Sequence, residues 1–159
     1  MDPVDHAITQ LCIREATGQN DGIPAERYNR GERTAWCASF VLWCFEQAGR
    51  PIHRSESEWW QMRSVAFLGE RLKERGLWLR SSALPQRNDL VFLAHRGRSD
   101  AGRGRHVGIV ESVPLAGSGR VTSIDGNWGD AVSRVVRVAS DPEITGYGRV
   151  FAAGASATS

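Results

Sequence analysis

No apolar run in the 159-residue sequence is long enough to cross a bilayer, and no run of Lys or Arg marks a nucleic-acid or membrane-surface binder. Arg dominates the basic residues but is scattered, as in Arg96 to Arg105, so the net charge of +2 reads as a solvated surface with a slight bias toward anions. The N-terminus, Met1-Asp2-Pro3-Val4-Asp5, has neither the basic start nor the apolar stretch of a secretory signal, and the expectation is a chain made in the cytoplasm. Internal repeats are absent as well. Cysteine is scarce: three residues, an odd number with no close spacing, argue against a disulfide scaffold or a zinc knuckle. Cys37 and Cys44 are seven apart on one expected helix, about 10.5 Å at the helical rise, which is beyond disulfide reach. Cys12 and Cys44 are expected in the core. No calcium loop with alternating oxygen ligands is present, and Asp21 and Glu26 alone make a poor cation site. The expectation is therefore no metal and no cofactor.

What remains is an ordinary globular composition, 41% hydrophobic and 24% charged, in a length suited to one domain. Its organising stretch is Ala35 to Gly49. Cys37, Phe40, Val41, Cys44, Phe45 and Ala48 recur at steps of three and four, which predicts a buried helix stopped by Gly49 and Pro51. Cys37 falls in or near its first turn. Unpaired N–H groups there carry partial positive charge, favour thiolate over thiol and can donate to an oxyanion. The competing reading is that Cys37 only fills space.

Ahead of that helix, Asp2-Pro3 looks like a cap with proline in the first position, and the spacing of Val4, Ile8, Leu11, Cys12 and Glu15 predicts a helix over residues 3–17. Gly18 to Pro24 reads as a loop. After it, Ser55 and Ser57 are candidate caps for a helical stretch holding Trp59, Trp60, Met62, Val65 and Phe67, with another turn or two up to Gly76. From Leu77 the period becomes that of strands: residues 77–80, 89–95, 106–113, 120–127, 131–138 and 146–151. Short links between them favour an antiparallel sheet. The expected fold class is α+β, with N-terminal helices packed on a curled antiparallel sheet of five or six strands.

On the expected strand from His106 to Glu111, His106, Gly108 and Val110 share one face, and the glycine leaves room beside the imidazole. On the next strand Asp125 and Asn127 project from one face. A helix-start cysteine, a histidine on a strand and an acid or amide on the neighbouring strand supply what thiol catalysis needs, namely proton removal, a fixed tautomer and charge stabilisation. Asp125-Gly126-Asn127 is equally a turn signal, and His95 at a strand end is a second candidate base.

Four segments in order, Trp36-Cys37-Ala38-Ser39-Phe40-Val41, Pro85 to Phe92, His106 to Glu111 and Ile124-Asp125-Gly126-Asn127, resemble the CHAP family of cysteine, histidine-dependent amidohydrolases and peptidases. The resemblance covers roughly residues 5–150. It implies a papain-like α+β fold in one catalytic domain over residues 1–152, with a flexible tail at 153–159. It also implies cleavage of amide bonds in bacterial peptidoglycan, as an N-acetylmuramoyl-L-alanine amidase or as a peptide endopeptidase. By the same resemblance the nucleophile is Cys37, the base His106, and the third and fourth polar residues Asp125 and Asn127. Many members carry Glu at the position of Asp125, which leaves the orienting role open between Asp125 and Asn127. Trp36, Trp59 and Trp128 are candidates to line the substrate groove. Peptidoglycan is the expected partner, with an immunity protein if the chain is a secreted antibacterial effector rather than a phage lysin, and the expected state is a monomer. Rival readings are a papain-like amidase acting on a non-wall amide, and a catalytically silent module that binds the wall or a partner.

Overall fold

The computed structural model describes residues 1–94, 105–113 and 119–151. His95, most of the Arg96 to Arg105 stretch and the tail lie outside the described residues.

Among the described residues five helices come first: α1 (Pro3–Thr9), α2 (Ile23–Tyr28), α3 (Cys37–Gln47), α4 (Glu56–Met62) and α5 (Val65–Glu74). Six strands follow: β1 (Trp78–Arg80), β2 (Leu90–Ala94), β3 (Arg105–Ser112), β4 (Arg120–Asp125), β5 (Ser133–Val138) and β6 (Ile144–Gly148). They form one open antiparallel sheet in the order β1-β6-β2-β3-β4-β5. The α+β class, the order of helices before strands and the six-stranded sheet are those expected from the sequence.

Alternation along the strands sorts the core into two parts. Leu90, Phe92, Val107, Ile109 and Ile124 face the helices, while Val91, Leu93, Val110, Val121, Ile144 and Tyr147 form a second cluster on the opposite face. Leu93 of β2 and Val135 of β5 line one hollow of about 330 Å³ although β3 and β4 lie between them in the sheet, so the sheet is curled. α3 is buried almost all round, through Ala38, Phe40, Val41, Leu42, Cys44 and Phe45. Its end is a Schellman turn. Gly49 at φ +69° donates to Glu46, and Arg50 donates to Phe45.

Three expected elements are corrected. The first helix stops at Thr9 rather than near residue 17, although its Asp2 and Asp5 capping box and Pro3 are as read. Beyond it the backbone turns to φ +70° at Cys12 and pairs with a distant segment: Cys12 N donates to Val132 O, Val132 N to Ile13 O and Glu15 N to Asp130 O. Long-range pairing wins over helical periodicity here, and it leaves Cys12 exposed rather than in the core. The loop read over Gly18 to Pro24 gives way to α2 at Ile23, with Pro24 in its first turn. The stretch holding Trp59 and Phe67 breaks in two because Ser64 caps a new helix through Phe67 N, as Ser55 caps α4 through Glu58 N.

The end of β4 meets α3 with no space between them. A Cβ on Gly126 would lie 2.5 Å from Phe40 Cβ, so only glycine lets the strand approach the helix. Gly126→Ala is expected to destabilise the protein by about 1–3 kcal/mol, the usual cost of overpacking, read from the urea midpoint; an unchanged midpoint would contradict this packing.

Candidate active site

The first turn of α3 is fixed from three sides before any chemistry is considered. Trp36, just ahead of Cys37, is fully buried, packs against Tyr28 and Phe40, and donates its indole N–H to Glu15 Oε1 at 2.7 Å. Ser39 donates its hydroxyl to Asn29, and Asn29 donates to Thr34 O at 2.7 Å, which clips the preceding loop to the helix. Cys37 is the first helical residue and keeps 8% of its surface exposed. By helix geometry its backbone N–H has no intrahelical acceptor and points out of the N-terminus.

His106, on β3, is 4% exposed, and Asp125, at the end of β4, is fully buried. His106 Nε2 donates to Asp125 Oδ2 at 2.8 Å. The imidazole is also hydrogen-bonded to the Cys37 thiol. Because the carboxylate takes Nε2–H, Nδ1 is the ring atom left for the thiol proton. Gly108 makes this possible: a Cβ there would lie 2.1 Å from Asp125 Oδ1, so the carboxylate occupies the room the glycine leaves on β3.

Burial works against charge on His106, but the hydrogen bond to Asp125, then that to Cys37, and the charges of both outweigh it and push the imidazole up to about 9. Burial likewise pushes the Asp125 carboxyl up. The hydrogen bond and charge of His106, then the Arg137 guanidinium, reverse this and hold it below the usual carboxylate range. A cysteine beside a base whose second nitrogen is anchored on a carboxylate can undergo proton transfer and attack a carbonyl carbon.

A CHAP domain matches residues 28–127, well over half of the chain and including Cys37, His106 and Asp125. The chain belongs to the CHAP family. Compared with individual curated proteins, it matches none. CHAP domains are generally hydrolytic, acting as peptidoglycan amidases and cysteine peptidases.

Within this CHAP domain the structure brings Cys37, His106 and Asp125 together. Asn127, in the left-handed region at φ +59°, hydrogen-bonds Asn20 at 3.3 Å; with its amide turned over it would donate to Glu15 and accept from Trp36 N. It thus ties the turn after β4 to the entrance of α3, while Asp125 holds the imidazole.

The groove expectation is corrected at Trp36 and Trp59, both of which are fully buried. Trp59 serves as core under the Arg30 guanidinium, 3.9 Å above its ring. Trp128 is 38% exposed and its ring lies 5.1 Å from that of His106, so it remains a candidate wall of the site.

Two polar groups escaped the sequence reading. Ser123 donates to Asp125 Oδ1 at 2.6 Å, and Arg137 of β5 donates to Asp125 Oδ2 at 2.6 Å. Strand alternation places Ser123 beside Asp125 on one face, and that was the available signal for it. Among the described residues no group of three His, Cys, Asp or Glu side chains could hold a metal ion, and no helix is long and apolar enough to cross a membrane. Asp21 accepts from the Thr17 backbone and hydroxyl, and Glu26 pairs with Arg33.

The imidazole of His106, followed by NMR, is expected to titrate near 9 and to fall in Asp125→Asn, because removing the carboxylate charge removes the larger support of the imidazolium. Turnover in that variant is expected to fall by on the order of a hundredfold. A His106 titration unmoved in Asp125→Asn would show that the carboxylate does not control the ring.

Proposed function

We propose that this CHAP domain hydrolyses amide bonds of bacterial peptidoglycan through a Cys37 thiolate, as an N-acetylmuramoyl-L-alanine amidase or a peptide endopeptidase. The observation that carries the reading is the buried His106–Asp125 hydrogen bond with the imidazole turned to Cys37 at the start of α3. Family membership supports the substrate class.

With the imidazole pushed up to about 9, the thiol proton already rests on His106 Nδ1 at neutral pH. Cys37 Sγ of this thiolate–imidazolium pair forms a bond to the carbonyl carbon of the scissile amide as the C=O π pair moves onto oxygen. The oxyanion so formed accepts from the Cys37 backbone N–H at the helix start, where the helix dipole also favours negative charge. As the C–N bond breaks, the imidazolium gives its proton to the leaving nitrogen, leaving a thioester. His106 then removes a proton from water, the hydroxide attacks the thioester, and the carboxylic acid leaves as the Cys37 thiol is restored. Asp125 supports the imidazolium in both halves. Trp128 is proposed as one wall for the substrate, and Asn127 positions the entrance to α3 rather than the ring. The substrate implies action on the cell wall, as a phage lysin or a secreted antibacterial effector, the latter with an immunity protein in its producer.

Incubating purified sacculi with the wild type should release soluble fragments, and Cys37→Ala should lower release by about a thousandfold or more. Mass spectrometry then separates the two bonds. A free lactyl carboxylate and a free L-alanine amine mark an amidase, and cut stems or bridges mark an endopeptidase. Equal release by folded Cys37→Ala would contradict the mechanism, and no release by the wild type would contradict the substrate.

A further inference from the structure

Strand β5 buries one cation, Arg137, while two of its valines are exposed. Arg137 is 7% exposed, while Val136 and Val138 on the other face of this edge strand stand in solvent. Such burial of a cation is costly unless partners compensate it. Arg137 has three: one nitrogen donates to Asp125 Oδ2, another to Ser123 Oγ, and the guanidinium lies 4.8 Å from the centre of the Trp128 ring. Asp125 Oδ2 is also the acceptor for His106, and Trp128 packs on the His106 ring. Arg137 therefore touches both groups that flank the imidazole, and it lies outside the segment matched to the family.

We propose that Arg137 is a positioning residue that sets how tightly His106 holds its proton and seats the Trp128 indole beside it. The proposal rests on the thiol-hydrolase reading of the site. Two cations share one carboxylate oxygen. The permanent charge of Arg137 takes up part of the Asp125 charge, so the imidazolium is held less tightly than a lone buried carboxylate would hold it. A ring that must donate to a leaving nitrogen and then accept from water works best when neither transfer is far uphill. The rigid fork of arginine reaches Asp125 and Ser123 with separate nitrogens, which the single ammonium of lysine does not reproduce. The titratable and charged groups facing this assembly include Cys37 from α3, Asp125 from β4 and Arg137 from β5, with Tyr147 of β6 within electrostatic reach of Arg137 and the carboxylates Asp141 and Glu143, ahead of β6, lining the hollow that Trp128 and Arg137 also line.

The test follows the His106 titration by NMR and the pH profile of Cys37 alkylation by iodoacetamide in the wild type, Arg137→Met and Arg137→Lys. Neither readout requires a wall substrate, so failure to digest sacculi and failure of this proposal are distinguishable. Arg137→Met is expected to raise the His106 titration by about one pH unit, to move the upper limb of the alkylation profile the same way and to change Trp128 fluorescence. Arg137→Lys should return part of the shift. A folded Arg137→Met with the wild-type titration would overturn the proposal. Should Arg137→Met not fold, the wild type decides. Slowly exchanging Arg137 Nη protons with contacts to Trp128 uphold it, and a freely rotating, averaged guanidinium overturns it.

Discussion

The fully buried carboxylate of Asp125 is the constraint on which the site depends. An ionised carboxylate without partners in an apolar interior carries a desolvation penalty of several kcal/mol. Here it is met by His106, Arg137 and Ser123, drawn from β3, β5 and β4 itself. Satisfying that one group fixes the register of three neighbouring strands at one end of the sheet, and it aims Nδ1 of the imidazole at Cys37. Stability and chemistry thus use the same contacts. A change at Asp125 acts on both.

The approach of helix to sheet follows from two absent side chains. Gly108 gives the carboxylate its space over β3, and Gly126 lets the end of β4 touch Phe40 of α3. The first brings Asp125 to His106, and the second brings the helix carrying Cys37 to the strand carrying Asp125. Trp36 and Asn29 then fix where the helix begins. Packing and hydrogen bonds thus hold the helix start that carries the nucleophile, while Cys37 itself keeps 8% of its surface exposed and its thiol faces the base.

Much of this was legible in the sequence, for identifiable reasons. The three-and-four spacing of α3, the alternation of β3 and the two-residue step within β4 are local periodicities, and they place Cys37, His106 and Asp125 on definite elements. The resemblance of short motifs to the CHAP family supplied their order. What local pattern does not carry is pairing between distant segments. The turn at Cys12, bonded to Val132, ended a helix that periodicity would have continued. Arg137 was hidden by the rule that valines face inward and charges outward, which β5 breaks at Val136, Arg137 and Val138 because the partner of the Arg137 charge lies on β4. Trp36, Trp59 and Trp128 are equal candidates for the groove by residue type alone; packing consumes the first two, and only the third dimension sets Trp128 apart.

The central claim is that Cys37 forms the covalent bond. An activated ester of the acyl half of the substrate makes deacylation the slow step, so the acyl-enzyme accumulates and can be quenched in acid. Intact mass and peptide mapping of that sample should find one acyl group on the peptide containing Cys37 and none in Cys37→Ala. Ester turnover with the acyl group on Cys12 or Cys44, or the same adduct in Cys37→Ala, would contradict the account.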